Sequence, residues 1–221
     1  MKSVKITASK HSFHTTIELP LSKSISNRAL ILQQVLKQTD GWEISIPALS
    51  DAHDTQMMQQ FCRVKSGTIN IGNAGTCLRF LLAYFAASTD CDITIDGNDR
   101  MRERPVKPLL DALTALGAVF EYQEQEGFLP VRILGSRLQG GTVKIDASLS
   151  SQFISALMMA APLMEKGLII EWQGTESSAP YISMTASVMN TFGFKAKYQP
   201  GKSVQVLPGI QSHIPQHFEI E

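Results

Sequence analysis

A plan repeated at nearly constant spacing constrains the fold of this chain more than any single residue does. Residues 72–86, GNAGTCLRFLLAYFA, and residues 148–163, SLSSQFISALMMAAPL, each open with small or polar residues and run straight into a nearly all-apolar segment. An apolar strand, a polar loop and a second helix follow each of them. After the first come CDITIDG, NDRMRERP and VKPLLDALTALGAVFEY; after the second come GLIIEWQG, TESSAP and YISMTASVMNTFGFKAKY. The strand-ending Gly97 and Gly174 are 77 positions apart, and the helix-ending Gly117 and Gly193 are 76 apart. A fixed offset of this size marks an internal repeat. A weaker first copy runs through WEISIPALSD and the polar helix DTQMMQQFCRV.

A third helix mouth precedes these two. Residues 19–29, LPLSKSISNRA, set Lys23, Arg28 and the hydroxyls of Ser22, Ser24 and Ser26 at the start of the apolar segment ALILQQVL. Free N–H groups and the positive end of the helix dipole favour an anion at such a place. Lysine adds a mobile point charge and arginine a rigid fork of donors. An ordinary capped helix with solvated basic residues is the plain alternative. Recurrence of the mouth favours a phosphate or carboxylate on a small metabolite.

The 221 residues suffice for one large or two small domains, and a 43% hydrophobic, 18% charged composition is that of a globular chain. Lys plus Arg equals Asp plus Glu, 20 against 20. Nothing in that balance points to a nucleic-acid or membrane surface, so any basic site is a local concentration of charge. Cys62, Cys77 and Cys91 show neither paired nor metal-type spacing, which suits buried thiols and a reducing cytoplasm. The five histidines form no metal-ligand pattern, and no metal or organic cofactor is expected. The N-terminus lacks the apolar stretch of a secretory signal. FLLAYFAA and ALMMAAPLM are too short to span a bilayer and, being apolar on every face, read as helices buried in a core.

Period-two alternation predicts strands at VKITASK, TTIELP, CDITIDG, PVRILG, GTVKIDA, LIIEWQG and SVQVLPG. Helices are expected at about 24–37, 53–62, 75–87, 105–117, 151–164 and 180–192. Two hairpins, GAVFEYQEQEGFLPVRILG and GFKAKYQPGKSVQVLPG, close the second and third units, whose cyclic order is βαβαββ. The first unit has only VKSGTINIG in the place of a hairpin. Asp51 and Asp54 resemble an acid–base pair, but capping the short helix after Ser50 is the favoured role.

LPLSKSISNRA, GNAGT, the DRMRERP loop, SLSSQF and SSAPY, in this order and spacing, resemble the N-terminal half of the 5-enolpyruvylshikimate-3-phosphate synthase family, the enolpyruvyl transferases of the shikimate pathway. The resemblance covers nearly the whole chain. It implies an α/β fold, an inside-out barrel domain of three repeats (about 21–72, 73–149 and 150–221) with parallel helices buried and sheets outside. It also implies that residues 1–20 pair with a second, C-terminal domain, and that ligands lie in the cleft between the two.

The same resemblance implies roles for particular residues. Lys23 and Gln152 contact both substrates; Ser24, Arg28, Ser150, Ser151, Ser178 and Tyr181 hold shikimate 3-phosphate; Gly75 and Arg100 border phosphoenolpyruvate, in the pocket that the herbicide glyphosate occupies. Arg102 and Arg104 read as structural or solvated. Acid–base groups are expected from the second half, because the chain stops at HFEIE, near where the family crosses into its other domain. A truncated product, an expressed domain and one part of a split enzyme all fit that length.

Some positions depart from the family pattern: Leu21 replaces a glycine, Ala179 a basic residue and Ser183 an acid. Three other protein classes share some of these features. UDP-N-acetylglucosamine enolpyruvyl transferases carry a cysteine on the loop matching DRMRERP, which has none here. An RNA-end-processing enzyme of similar repeats calls for basic, aromatic-studded patches. A non-catalytic phosphometabolite-binding module fits a chain that holds only half of a site.

Overall fold

In a computed structural model of the chain, residues 4, 5, 7, 14–146, 150–174 and 178–221 are described. Parts of VKITASK, the start of SLSSQF and the first half of TESSAP lie outside them. The first unit supplies helices α1 (Lys23–Asp40) and α2 (His53–Phe61). The second runs β1 (Ser66–Asn70), α3 (Gly75–Ala87), β2 (Asp92–Asp96), the single turn α4 (Asp99–Arg102), α5 (Lys107–Ala115), β3 (Val119–Tyr122) and β4 (Val131–Leu134). The third repeats this order: β5 (Gly141–Asp146), α6 (Ser151–Ala160) ending in a 3₁₀ turn, β6 (Leu168–Gln173), α7 (Ala179–Thr191), β7 (Ala196–Gln199) and β8 (Ser203–Val206).

The two sheets have one topology. Their strand orders are β1-β2-β4-β3 and β5-β6-β8-β7. In each, the first pair is parallel and the other two are antiparallel. The parallel pair is bridged by the apolar helix, α3 or α6, because parallel strands need a long crossover. Both helices are buried on nearly every face, as their all-round apolar sequence requires. Phe80, Phe85, Leu157 and Met158 meet Leu30, Leu32 and Leu36 of α1 in the core. The first turns of α1, α3 and α6 line one cavity, and their C-terminal ends line another of about 1240 Å³, so the three helices run in the same direction.

One expected strand and two segments of the weaker first copy take other forms in the structure. Ser66–Asn70 of VKSGTINIG makes up β1, whose partner is β2, so this segment opens the second sheet instead of closing the first unit. WEISIP forms only a bridge, Ser45 to His217, fixed by Ser45 N–H to the Gln216 carbonyl at 3.0 Å and Phe218 N–H to the Ser45 carbonyl at 2.8 Å. TTIELP carries no ladder, and Ile17 and Leu19 are exposed. A strand needs a neighbour for its backbone groups, and the described residues offer none there. The C-terminal segment returns to the first unit, where the N–H of Ser22 donates to the carbonyl of Glu221 at 2.9 Å.

Candidate anion-binding site

Four helix N-termini converge on a cleft of about 590 Å³ lined by residues of α1, α3, α6 and α7. Two of them are closed by serine: Ser22 accepts from the N–H of Ile25 at 3.3 Å, and Ser150 from the N–H of Gln152 at 3.2 Å. The other two have no side-chain cap. α3 begins after Ala74, and α7 begins after Ser178, which sits in the left-handed region at φ 70°, ψ 41°. Uncapped first-turn N–H groups at the positive end of a helix are donors in search of an acceptor. The described lining carries Lys23, Arg28, Arg79 and Arg104 but a single carboxylate, Asp54. A chain of zero net charge thus concentrates positive charge here.

Among the described residues Arg28 is buried without a carboxylate partner. Its Nε–H donates to Oγ1 of Thr185 at 2.7 Å, and its Nη1 to the Ser24 carbonyl at 2.8 Å. Its Nη2 donates to Oγ of Ser155 at 3.2 Å and to the Tyr181 carbonyl at 3.5 Å. The guanidinium lies over the rings of Phe80 and Tyr181, 5.2 and 5.8 Å from their centroids. Burial pushes its pKa down to about 10. Neutral dipoles thus hold a desolvated cation whose charge is left for a ligand.

Lys23 is half exposed, with its ammonium 3.5 Å from Oδ2 of Asp54. Asp54 faces the cleft and caps nothing: α2 starts after Ala52 with no side-chain cap, and the Asp51 backbone carbonyl accepts from Gln56. The expected capping role of Asp51 and Asp54 is therefore replaced by an ion pair at the cleft. Ser24, Ser150, Ser151, Gln152, Ser178 and Tyr181 all line the same cleft, and Gln152 reaches Oγ1 of Thr76 at 3.4 Å, tying α6 to α3.

The mouth of α3 holds two arginines, Arg79, to which the motifs assign no role, and Arg104, which they leave as structural or solvated. A Cβ on Gly75 would lie 2.7 Å from Nη1 of Arg79 and 3.5 Å from Nη1 of Arg104. Glycine here makes room for a guanidinium as well as for a ligand. Arg79 donates from Nη1 to the Gly75 carbonyl at 2.7 Å and lies 5.6 Å from the Phe153 ring centroid, while its Nε is buried with no acceptor. The signal was present: Arg79 is the sole charged residue of α3 and sits one helical turn from Gly75. Arg104, expected to be structural or solvated, lines the cleft. Arg102 is structural, bound to Asp96 at 2.6 Å and Glu124 at 3.0 Å. Arg100 is exposed on α4 and is not among the residues lining the cleft.

Fold and cleft together define an α/β domain with a cationic site built from helix N-termini. Residues 58–221 match the family described as EPSP synthase (3-phosphoshikimate 1-carboxyvinyltransferase). The chain belongs to that family. It is 43% identical over 207 residues to a 3-phosphoshikimate 1-carboxyvinyltransferase of Bacteroides fragilis, covering 93% of this chain and 48% of that protein. A protein of the same name from Actinobacillus pleuropneumoniae is 39% identical over 230 residues, covering 93% and 53%. In fold it is similar to the EPSP synthase from Acinetobacter baumannii, with a TM-score of 0.75 at 18% identity over 92% of this chain and 49% of the other. The chain thus spans about half the length of the curated relatives it matches.

Proposed function

We propose that this chain is the N-terminal part of a shikimate-pathway enolpyruvyl transferase, which moves the enolpyruvyl group of phosphoenolpyruvate to the 5-hydroxyl of shikimate 3-phosphate and releases phosphate. The convergence of four helix N-termini with Lys23 and Arg28 on one cleft carries this reading. Ser24, Arg28, Ser150, Ser151, Ser178 and Tyr181 hold the shikimate phosphate and ring. Lys23 and Gln152 reach both substrates, and Gly75 and Arg100 border phosphoenolpyruvate, Arg100 by swinging its long side chain in from α4. Two polyanions are brought together, so neutralising and positioning them supply much of the rate. Protonation of the methylene carbon and attack by the hydroxyl, which gives up its own proton, then loss of a methyl proton together with phosphate to restore the enol ether, need acid–base groups. Asp54, the one carboxylate on the described lining, is engaged by Lys23, which supports acid–base groups supplied from outside this chain.

The two matching sheets, with α1 and α2 as an abridged unit, support an inside-out barrel of three repeats spanning 21–221. Exposed Ile17 and Leu19 support residues 1–20 as strands for a second, C-terminal half, the expected partner. Three buried free thiols suit a reducing cytoplasm. Calorimetry of the 221-residue chain with shikimate 3-phosphate, then a phosphate-release assay with and without a separately made second half, tests the reading. Weak, salt-sensitive binding and turnover only in the mixture are expected; turnover by this chain alone would overturn it.

A further inference from the structure

We propose that the cavity at the C-terminal ends of α1, α3 and α6 is a second binding site, suited to a hydroxylated organic acid. It shares no lining residue with the cleft, and the inference does not depend on the function proposed above.

The abridged first unit explains why the domain is open there. In the second and third units the second helix, α5 or α7, leads into a hairpin, and the second strand of that hairpin pairs with β2 or β6. After α2, which ends at Phe61, β1 begins at Ser66 with no hairpin between. By the repeat, the missing hairpin would lie beside the Ser45 bridge and follow α2. Ile44, Ser45, Val64 and Lys65, from both of those places, line the cavity. A side chain there does the work of a strand partner: Gln33 Nε2 donates to the Ile44 carbonyl at 2.7 Å.

The floor carries deeply buried polar groups with bonding capacity to spare. Gln34 is 8% exposed; its Nε2 reaches only Oε1 of Gln33, at 3.4 Å, and its own Oε1 accepts no hydrogen bond among the described residues. Tyr84 is 5% exposed; its hydroxyl accepts from Gln38 Nε2 at 2.6 Å, which leaves the phenolic proton to donate. Gln38 stands one helical turn from Gln34, so its bond to Tyr84 brings that hydroxyl toward the Gln34 amide. Groups so buried call for partners. One ligand hydroxyl can donate to the amide oxygen and accept from the phenol.

The rim selects an anion. Lys37 is engaged by Glu43 and Arg137 by Glu165. Arg63 and Lys65, both exposed, make no ion pair or side-chain hydrogen bond among the described residues, against one such acid, Asp90. A carboxylate suits that fork and ammonium. The C-terminal carbonyls of α3 offer little to a cation, because Ser88 Oγ takes that of Tyr84 at 2.7 Å, Ser88 N–H that of Phe85 at 3.1 Å and Ser136 N–H that of Ala86 at 3.2 Å. Val64, Pro162 and Leu163 give apolar wall for a carbon skeleton. The cavity, about 1240 Å³, is larger than most ligand sites, so a small acid fills only part of it.

The test is an NMR titration of the whole 221-residue chain with para-hydroxybenzoate, following the side-chain amides of Gln34 and Gln38 and the backbone amide of Lys65. Saturable shifts are expected. Benzoate, which lacks the hydroxyl, and para-hydroxybenzyl alcohol, which lacks the carboxylate, should each bind about fivefold more weakly or worse. The Arg63→Gln, Lys65→Gln double variant changes only exposed side chains, keeps the fold, and should raise the para-hydroxybenzoate midpoint by a similar factor. Tyr84→Phe, which removes one hydroxyl, should do the same. Signals that do not move, equal binding of the three probes, or an unchanged midpoint in the double variant would overturn the site. Shifts confined to the Gly75, Thr76 and Ser151 amides would place the acid in the cleft and overturn it equally.

Discussion

The Nε–H of Arg28 donates to Oγ1 of Thr185 at 2.7 Å, joining α1 to α7 across 157 positions of sequence. Thr185 passes its own proton to the Tyr181 carbonyl at 2.7 Å and lies 2.9 Å from Oγ of Ser155. Thr185→Val strands the buried Nε–H without an acceptor, at a cost of about 1–3 kcal/mol. The melting temperature should fall by roughly 2–10 °C and shikimate 3-phosphate should bind several-fold more weakly. Thr185→Ser keeps the hydroxyl and should lose much less. Scanning calorimetry with and without the ligand checks both.

Lys23→Ala should separate binding from stability. The Lys23–Asp54 pair is solvent-exposed, so its loss costs about 0–1 kcal/mol, while a ligand bridged by the ammonium should bind at least about tenfold more weakly. Lys23→Arg should also impair binding, because a planar fork does not replace a compact ammonium. Wild-type affinity in either variant would remove Lys23 from the site.

Gly75→Ala would place a methyl against Nη1 of Arg79 at 2.7 Å. That atom is the far end of a flexible side chain, so the guanidinium moves and stability changes by less than about 1 kcal/mol. In the enzyme reassembled with its second half, glyphosate inhibition should weaken sharply and the KM for phosphoenolpyruvate should rise. An unchanged inhibition curve would mean that Gly75 lies outside that pocket.

The arginines of residues 100–104 should behave differently from one another. Arg102→Ala removes a half-buried pair with Asp96 and an exposed one with Glu124; it should lower the melting temperature and leave ligand binding unchanged. Arg100→Ala should raise the KM for phosphoenolpyruvate in the reassembled enzyme. Steady-state kinetics of the two variants side by side would show it.

Alkaline pH should destabilise the chain. Burial, the leading cause in each case, pushes Cys62 up to about 11, Cys77 to about 12, Cys91 to about 11 and Tyr84 to about 12. The unfolded chain releases these protons first, so the stability they confer is complete below pH 9 and drains away toward 12. Arg28 acts in the opposite sense, its burial cost being relieved only above about 10. The melting temperature should therefore drop between pH 9 and 10. At pH 8, iodoacetamide should label no thiol of the native chain and all three after denaturation, as read by mass spectrometry.

Elements that carry their own signal were legible in the sequence. The offset between glycines located two sheets of one topology, and all-round apolarity located α3 and α6 in the core. TTIELP was not, because alternation shows what a strand can bury but not whether a neighbour is there to pair with it. Within the site, Lys23, Ser24, Arg28, Gly75, Ser150, Ser151, Gln152, Ser178 and Tyr181 line one cleft; three of its helix mouths are legible as polar openings before apolar runs, whereas Ser178 and Tyr181 stand out only through the family resemblance. Arg104 escaped because it follows α4 in an irregular turn, where no periodicity tells which way a side chain points. Capping is a local habit, so the sequence suggests a cap at Asp54, whereas its ion pair with Lys23 spans 31 positions.

The hydrogen bond between Ser22 and Glu221 makes the neck of this domain one bond wide. Ser22 and Glu221 thus stand side by side as the two posts of one doorway, the arrangement of a cassette that can be spliced into another polypeptide without stretching either end. Ser22 also caps the helix that carries Lys23 and Arg28, so the doorway opens directly onto the cleft. Any strain applied at those two residues would act first on the α1 mouth, as a door pulls first on its frame.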